Sequence, residues 1–303
     1  MQEAPAKPAA RRFDRRSTLQ GQCVLFFSKI GQLNSRSVET WAKQIEEYWK
    51  DVSVNGDPNL DPDFPVESVA VTLRYNVRGL REQATDLDDA AKAALDRIIE
   101  LLPRTWTRGE QVFSSNFVMG HVVHWRRVLA ELAGKPDLNF LEVGSFEGLS
   151  CIWQFTHVLT HPGSKMTCVD SFDFGGQLSN DPSESGRNIQ DRFDENIKAA
   201  GLTGRVDKRY GFSQIAMRGL PLETYDHIYI DASHLAPDVL EDVVLAYRLM
   251  KVGGLATFDD YGWQAHDDPR QRPTMALDAF VDIFKGKVEV VHKGYQLVLR
   301  RLQ

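Results

Sequence analysis

The chain has 303 residues, 42% hydrophobic and 26% charged, an ordinary globular composition with room for one large α/β domain and a smaller partner. Its formal charge of −6 and pI near 5.8 leave no basic footprint for nucleic acid, so a small or neutral partner is expected. No run of about 18 apolar residues is present, and no membrane span is expected.

Residues 1–18 carry Arg11, Arg12, Arg15 and Arg16 among alanines and prolines, lack the basic-apolar-small order of a secretory signal, and read as a disordered tail. Residues 19–110 read as a mainly helical accessory region. Val38 to Trp49 and Asp86 to Leu102 place apolar residues at three- and four-residue spacings and predict amphipathic helices. Gly56 to Pro65, dense in Pro and Asp, predicts a loop. Val66 to Tyr75 alternates apolar and polar residues and reads as a strand. No chemistry is assigned to this region. Of the three cysteines, Cys23 stands alone, while Cys151 and Cys168 sit inside apolar runs; the odd count without metal spacing points to a reducing, cytoplasmic setting.

Residues 111–303 form the second domain. Short apolar strands alternate with helices: Phe140 to Val143, Met166 to Val169, Val206 to Arg209, His227 to Ile230, Leu255 to Phe258, Val288 to Val291 and Gln296 to Leu299. That rhythm predicts a doubly wound, mostly parallel α/β sheet. Only His292 to Tyr295 separate the last two strands, too few for a parallel crossover, so the final strand runs antiparallel.

The first strand ends in Leu141-Glu142-Val143-Gly144-Ser145-Phe146-Glu147-Gly148, a glycine turn opening a helix. Such a turn lets backbone approach a ligand, and the helix N-terminus offers unpaired N–H groups. The third glycine of the dinucleotide fingerprint is missing, which argues against a nicotinamide-dependent oxidoreductase, and Glu142 suits a cationic ligand better than a pyrophosphate. The second strand ends at Asp170, about 26 residues past the turn, where a carboxylate can accept ribose hydroxyls. Tyr210-Gly211-Phe212-Ser213-Gln214, after the third strand, is placed to meet a nucleobase edge.

Residues 140–300 resemble the class I S-adenosylmethionine-dependent methyltransferases, above all the metal-dependent O-methyltransferases, on the Leu-Glu-Val-Gly-Ser-Phe-Glu-Gly run and the seven-strand pattern. The resemblance implies sheet order 3-2-1-4-5-7-6 with strand 7 antiparallel. It implies that Glu142, Gly144, Ser145 and Gly148 meet the methionine end of the cofactor, with Asp231 close by. Asp170 would hold the ribose and Ser213 and Gln214 the adenine, the last pair matching a Gly-x-Ser-Gln segment of the catechol branch.

In that strand order Asp231, after the fourth strand, and Asp259 and Asp260, after the fifth, crowd one volume about 4.8 Å across. Three carboxylates that close call for protons or a cation, and an all-oxygen set suits a hard divalent metal such as Mg²⁺. The metal would acidify an acceptor hydroxyl and His234 would take its proton. Asp-x-Ser-His followed by Phe-Asp-Asp-Tyr is similar to the branch that methylates sugar hydroxyls on macrolides.

The expected protein is thus a metal-assisted O-methyltransferase for a hydroxylated small molecule, sugar-bearing or polyketide-type, with a homo-oligomer as one option. A metal-independent methyltransferase and a non-catalytic methyltransferase-like binding module are the alternatives. His121 and His124 share a helix face and read as structural or substrate-facing. Trp125 and Trp153 read as packing residues. Trp263 follows the acidic pair closely enough to wall a pocket, Phe172 to Arg187 reads as a lid, and Phe113 to Asn116 as a pocket border.

Overall fold

The structure is a computed structural model that describes residues 35–57, 60–83, 85–173, 188–264 and 266–303. The expectations for residues 1–18, for Cys23 and for most of the Phe172–Arg187 segment lie outside the described residues. The chain divides into two compact units, one holding the described residues up to Arg108 together with Phe113–Met119, the other Gly109–Val112 and Gly120–Gln303.

In the first unit, helices α1 (Ser35–Asn55), α2 (Val66–Gln83) and α3 (Asp89–Leu101) share one apolar core. Asp88 caps α3 by accepting from the Ala91 N–H, which starts the helix three residues later than the apolar spacing suggests. The stretch from Val66 to Tyr75 is helical and not a strand. Its buried residues Val69, Ala70, Leu73, Val77 and Leu80 follow a helical period once the window extends past Tyr75. The apparent alternation came from Ser68 and Thr72, which are buried: each bonds back to a backbone carbonyl one turn earlier, Pro65 and Ser68 respectively.

The second unit is built on seven strands: β1 (Asn139–Val143), β2 (Lys165–Asp170), β3 (Val206–Tyr210), β4 (Tyr225–Ile230), β5 (Met250–Phe258), β6 (Val288–Lys293) and β7 (Leu297–Arg301). Their order is 3-2-1-4-5-7-6, and β7 pairs antiparallel with both neighbours. The helices are α4 (Val122–Val128), α5 (Leu149–His157), α6 (Ile189–Ala199), α7 (Ser213–Ala216), α8 (Ala236–Leu249) and α9 (Pro273–Ile283). Alternate strand residues face opposite layers. Leu141, Val143, Ile228, Ile230, Ala256 and Phe258 pack with Val239 and Val243 of α8 and Leu277 and Phe280 of α9. On the other face Tyr229 meets Trp125 of α4 edge-on, and Glu142 bonds to α5. Cys151 and Cys168 are buried free thiols. Among the described residues no helix is long and apolar enough to cross a membrane.

Strand register fixes the site. Val143, Ile230 and Phe258 are level across β1, β4 and β5, and Leu297 of β7 is level with Phe258. The residues just beyond therefore emerge side by side, stitched by Gly144 N–H to Val169 O, Asp231 N–H to Val143 O, and Asp259 N–H to Ile230 O at 2.8–2.9 Å.

Candidate active site

The glycine turn is shaped by what its neighbours leave room for. Gly144 has φ +88°, and a Cβ there would lie 1.8 Å from the Asp231 carbonyl oxygen, so no other residue fits between the ends of β1 and β4. Gly148, at φ +84°, precedes α5 and faces the Phe193 ring. Ser145 is buried in the turn. Glu147 turns inward to an ion pair with Arg192 of α6 at 2.5 Å, both side chains shielded from water.

Two carboxyls belong to this half. Asp170 accepts from the Phe146 N–H at 2.7 Å and the Phe172 N–H at 2.6 Å, tying the turn to the end of β2. Burial raises its pKa against those bonds. Glu142 is wholly buried and accepts from Ser150 Oγ at 2.9 Å and Gln154 Nε2 at 2.8 Å. Burial pushes its pKa up to about 8, the Ser150 and Gln154 bonds pulling the other way. Glu142 thus braces the turn from behind, bonded to α5. Gly211 continues the row of strand ends by donating to the Asp170 carbonyl, which sets Ser213 and Gln214 at the start of α7; Ser213 is buried.

The other half lies at the ends of β4 and β5. Tyr229 directs one phenol O–H at two carboxylates, Asp231 Oδ2 at 3.0 Å and Asp259 Oδ2 at 2.8 Å, yet one hydroxyl donates one proton. Gln296 donates to Asp259 Oδ1 at 2.9 Å. Tyr295 donates to Asp260 Oδ1 at 2.5 Å, and His234 Nε2 to Asp260 Oδ2 at 2.5 Å. Asp260 itself has φ +53°, a left-handed backbone that a non-glycine residue adopts at a cost of about 1 kcal/mol or more. Burial raises the Asp231 pKa well above the usual carboxylate range, and the Asp259 and Asp260 charges add to the rise. Burial opposes the charged form of His234, but the Asp260 carboxylate outweighs it and the net shift is upward.

This donor set fits a cation. Asp231, His234 and Asp260 each bring a ligand atom within 4.8 Å of the others. Asp231 shares its phenol with Asp259, so the group is short of positive charge, and a divalent ion satisfies that deficit with oxygen ligands.

Aromatic rings flank the cluster. His234 stacks on Trp263 with centroids 4.9 Å apart. His121 lies between Trp125 and Tyr295, at 6.1 and 5.9 Å, with Nε2 3.6 Å from Asp259 Oδ2. His124 instead meets His292 at 4.0 Å. Trp125 and Trp153 are core residues in edge contact. Phe113–Asn116 fall in the first unit.

Residues 141–261 match a family model described as a methyltransferase domain. Over those residues the chain is similar to that domain. The match runs from the glycine turn through Asp259, Asp260 and Tyr261, and the sheet order is that of the Rossmann-like methyltransferase fold. No curated protein matches the chain. Among solved structures, an O-methyltransferase from Bacillus cereus in complex with SAH is similar at 17% identity and TM-score 0.44, over 88% of this chain and 100% of that one. The O-methyltransferase NovP is similar at 17% identity and TM-score 0.47, over 61% and 81%. TrmN from Thermus thermophilus is similar at 15% identity and TM-score 0.39, over 58% and 48%.

Gly144, Asp170, Asp231, Asp259 and Asp260 lie at or just beyond the ends of β1, β2, β4 and β5, while Glu142 lies inside β1 and His124, Trp125 and Trp153 lie on α4 and α5. Tyr229, Tyr295 and Gln296 were not among the expected site residues, and His121 was read only as structural or substrate-facing. All three were accessible: Tyr229 stands two residues before Asp231 on the same strand, and an antiparallel β7 beside β5 brings Tyr295 and Gln296 next to Asp259 and Asp260.

Proposed function

We propose that the protein is an S-adenosylmethionine-dependent O-methyltransferase that uses a divalent cation, Mg²⁺ in the first instance, to methylate a hydroxyl of a small molecule. One observation carries the reading: a glycine turn and a ribose-competent carboxylate stand level with a second group in which two carboxylates, Asp231 and Asp259, share one phenol proton. The first half matches the needs of a nucleoside sulfonium, the second those of a cation and an acceptor hydroxyl.

In this reading Gly144, Ser145 and Gly148 meet the methionine end, braced by Glu142, with Asp231 alongside. Asp170 accepts from the ribose, and Ser213 and Gln214 contact adenine. Asp231, Asp259 and Asp260 hold the cation, which when bound lowers the pKa of the acceptor hydroxyl. Tyr229 and Gln296 orient Asp259, and Tyr295 orients Asp260. His234, backed by Trp263 and held by Asp260 through Nε2–H, receives the hydroxyl proton at its other ring nitrogen, Nδ1. The acceptor oxygen then displaces the homocysteine sulfur from the methyl carbon, and alignment of the two supplies much of the acceleration. The likeness of Asp-x-Ser-His and Phe-Asp-Asp-Tyr to the sugar-modifying branch favours a sugar-bearing or polyketide-type acceptor.

The test is calorimetric titration of S-adenosylhomocysteine, with and without Mg²⁺, into the wild type, Asp170→Ala and Asp259→Ala. The expected pattern is loss of nucleoside binding in the Asp170 variant only and loss of the Mg²⁺ signal in the Asp259 variant only. A wild type that binds neither would sink the reading.

A further inference from the structure

One residue of α4 reaches the cation site although the reaction just described makes no use of it. Val122, Trp125 and Leu129, three and four residues apart along α4 and its C-terminal end, are all buried, so Trp125 belongs to the inner face of the helix. Tyr229, Gln296 and His121 each meet the Asp259 carboxylate, at 2.8, 2.9 and 3.6 Å, and all three touch Trp125. The Tyr229 ring packs edge-on against the indole with centroids 4.9 Å apart, and the His121 ring stacks on it at 6.1 Å. Gln296 is bonded to it directly. Trp125 Nε1–H donates to Gln296 Oε1 at 2.9 Å, and Gln296 Nε2–H donates to Asp259 Oδ1 at 2.9 Å.

The groups at the two ends set the direction of this chain of bonds. An indole nitrogen only donates and a carboxylate oxygen only accepts, whereas an amide turned by half a revolution exchanges its donor for its acceptor. With the indole in place, one amide orientation satisfies both neighbours. The flipped one sets donor against donor at Trp125 and acceptor against acceptor at Asp259. Gln296 is buried, so water does not replace a missing partner. Without the indole N–H, Oε1 is left with no donor, and the amide gains by turning away from Asp259 to find one.

We propose that Trp125 is a positioning residue for the cation: its N–H fixes the Gln296 amide, which holds Asp259 in the orientation that binds the ion. The inference rests on the reading of Asp259 as a cation ligand. A packing role alone would act whether or not Gln296 were present; a role exercised through Gln296 vanishes once that amide is gone.

Calorimetric titration of Mg²⁺ and of S-adenosylhomocysteine into the wild type, Trp125→Phe, Gln296→Met and the double variant, alongside thermal melts, tests this. Trp125→Phe keeps a ring against Tyr229 and His121 and removes the N–H; Gln296→Met keeps the side-chain length and removes both bonds. Each single variant is expected to bind Mg²⁺ about tenfold more weakly, the scale of one hydrogen bond, with nucleoside affinity unchanged. The double variant should bind Mg²⁺ no more weakly than Gln296→Met. The proposal is overturned if folded Trp125→Phe binds Mg²⁺ as tightly as the wild type, if the two losses multiply in the double variant, or if nucleoside affinity falls in step with that for Mg²⁺. Should Trp125→Phe fail to fold, the Trp125 indole N–H resonance decides. It should shift on Mg²⁺ addition to the wild type and stay in place in Gln296→Met; a resonance that moves in both or in neither overturns the proposal. A wild type that binds S-adenosylhomocysteine but no Mg²⁺ would instead overturn the cation reading, and this inference with it.

Discussion

The two halves of the site treat their carboxyl groups in opposite ways. Around the glycine turn each acid is satisfied by the chain itself: Asp170 by two backbone N–H groups, Glu142 by a hydroxyl and an amide, Glu147 by a buried arginine. At the ends of β4 and β5, Asp231 and Asp259 compete for one phenol proton while Asp260 draws on a histidine and a second tyrosine. The first half is a preformed cradle whose own bonds hold it in shape. The second holds three acids close together with one phenol shared between two of them, so their mutual repulsion is only partly relieved by the chain.

The sharpest way to break this contrast is to remove one acid from the second half. Asp259→Asn keeps one acceptor oxygen where Asp259 offers two, to Tyr229 and to Gln296, and removes a charge. Turnover is expected to fall by about a thousandfold, the scale of one well-placed electrostatic contact in a closed site, with nucleoside affinity unchanged. Initial-rate assays alongside calorimetry would show the split; equal losses in rate and nucleoside binding would mean the halves are not separate.

Gly144→Ala attacks the seam between them. The added methyl meets the Asp231 carbonyl at a distance no contact tolerates, and φ +88° is strained for alanine besides. Overpacking and backbone strain together point to a loss of about 3 kcal/mol or more, visible as a lower midpoint in urea. A variant as stable as wild type would show that the strand ends can part without penalty.

How much of this was legible beforehand follows the same division. The strands, the turn and Asp170 at a strand end could be read because short apolar runs and glycine spacing are local signals, whereas the strand order was implied by the family resemblance. Tyr229, Gln296 and Tyr295 act on the acidic cluster through register, which becomes readable only after β7 is placed antiparallel beside β5. His121 was read only as structural or substrate-facing, since its approach to Asp259 depends on how α4 packs on the sheet. The misread Val66–Tyr75 segment shows the opposite failure: a ten-residue window caught an alternation that buried Ser68 and Thr72 imitate, while the helical period runs on to Leu80.

Within the first half, Asp170→Ala should cost about 2 kcal/mol of stability, because two buried N–H groups lose their acceptor at about 1 kcal/mol each after partial rehydration. Asp170→Asn keeps one acceptor oxygen and should lose about half as much. Chemical denaturation of the two variants side by side checks this, and identical midpoints would deny Asp170 its tie to the turn.

The smallest effect concerns Glu142 and is read as a slope against pH. In the folded protein its carboxyl keeps a proton up to about pH 8, whereas unfolded it releases one near its ordinary value of 4.5. Between those values the folded state binds the extra proton, so stability, full below 4.5, declines as pH rises and is lost through about 8, at no more than about 1.4 kcal/mol per unit. His227 works the other way. Burial depresses its pKa from 6.5 to about 3, so it adds stability with rising pH up to 6.5 and masks the decline there. Asp242, raised to about 7, declines alongside Glu142 until that pH. From pH 7 to 8 Glu142 therefore acts alone among these three. Thermal melts of the wild type should fall across that unit, and Glu142→Gln, which carries no proton to lose, should flatten the slope. An equally flat wild type would mean that Glu142 is ionised when folded, and that the cradle, like the cluster beside it, holds an unneutralised charge.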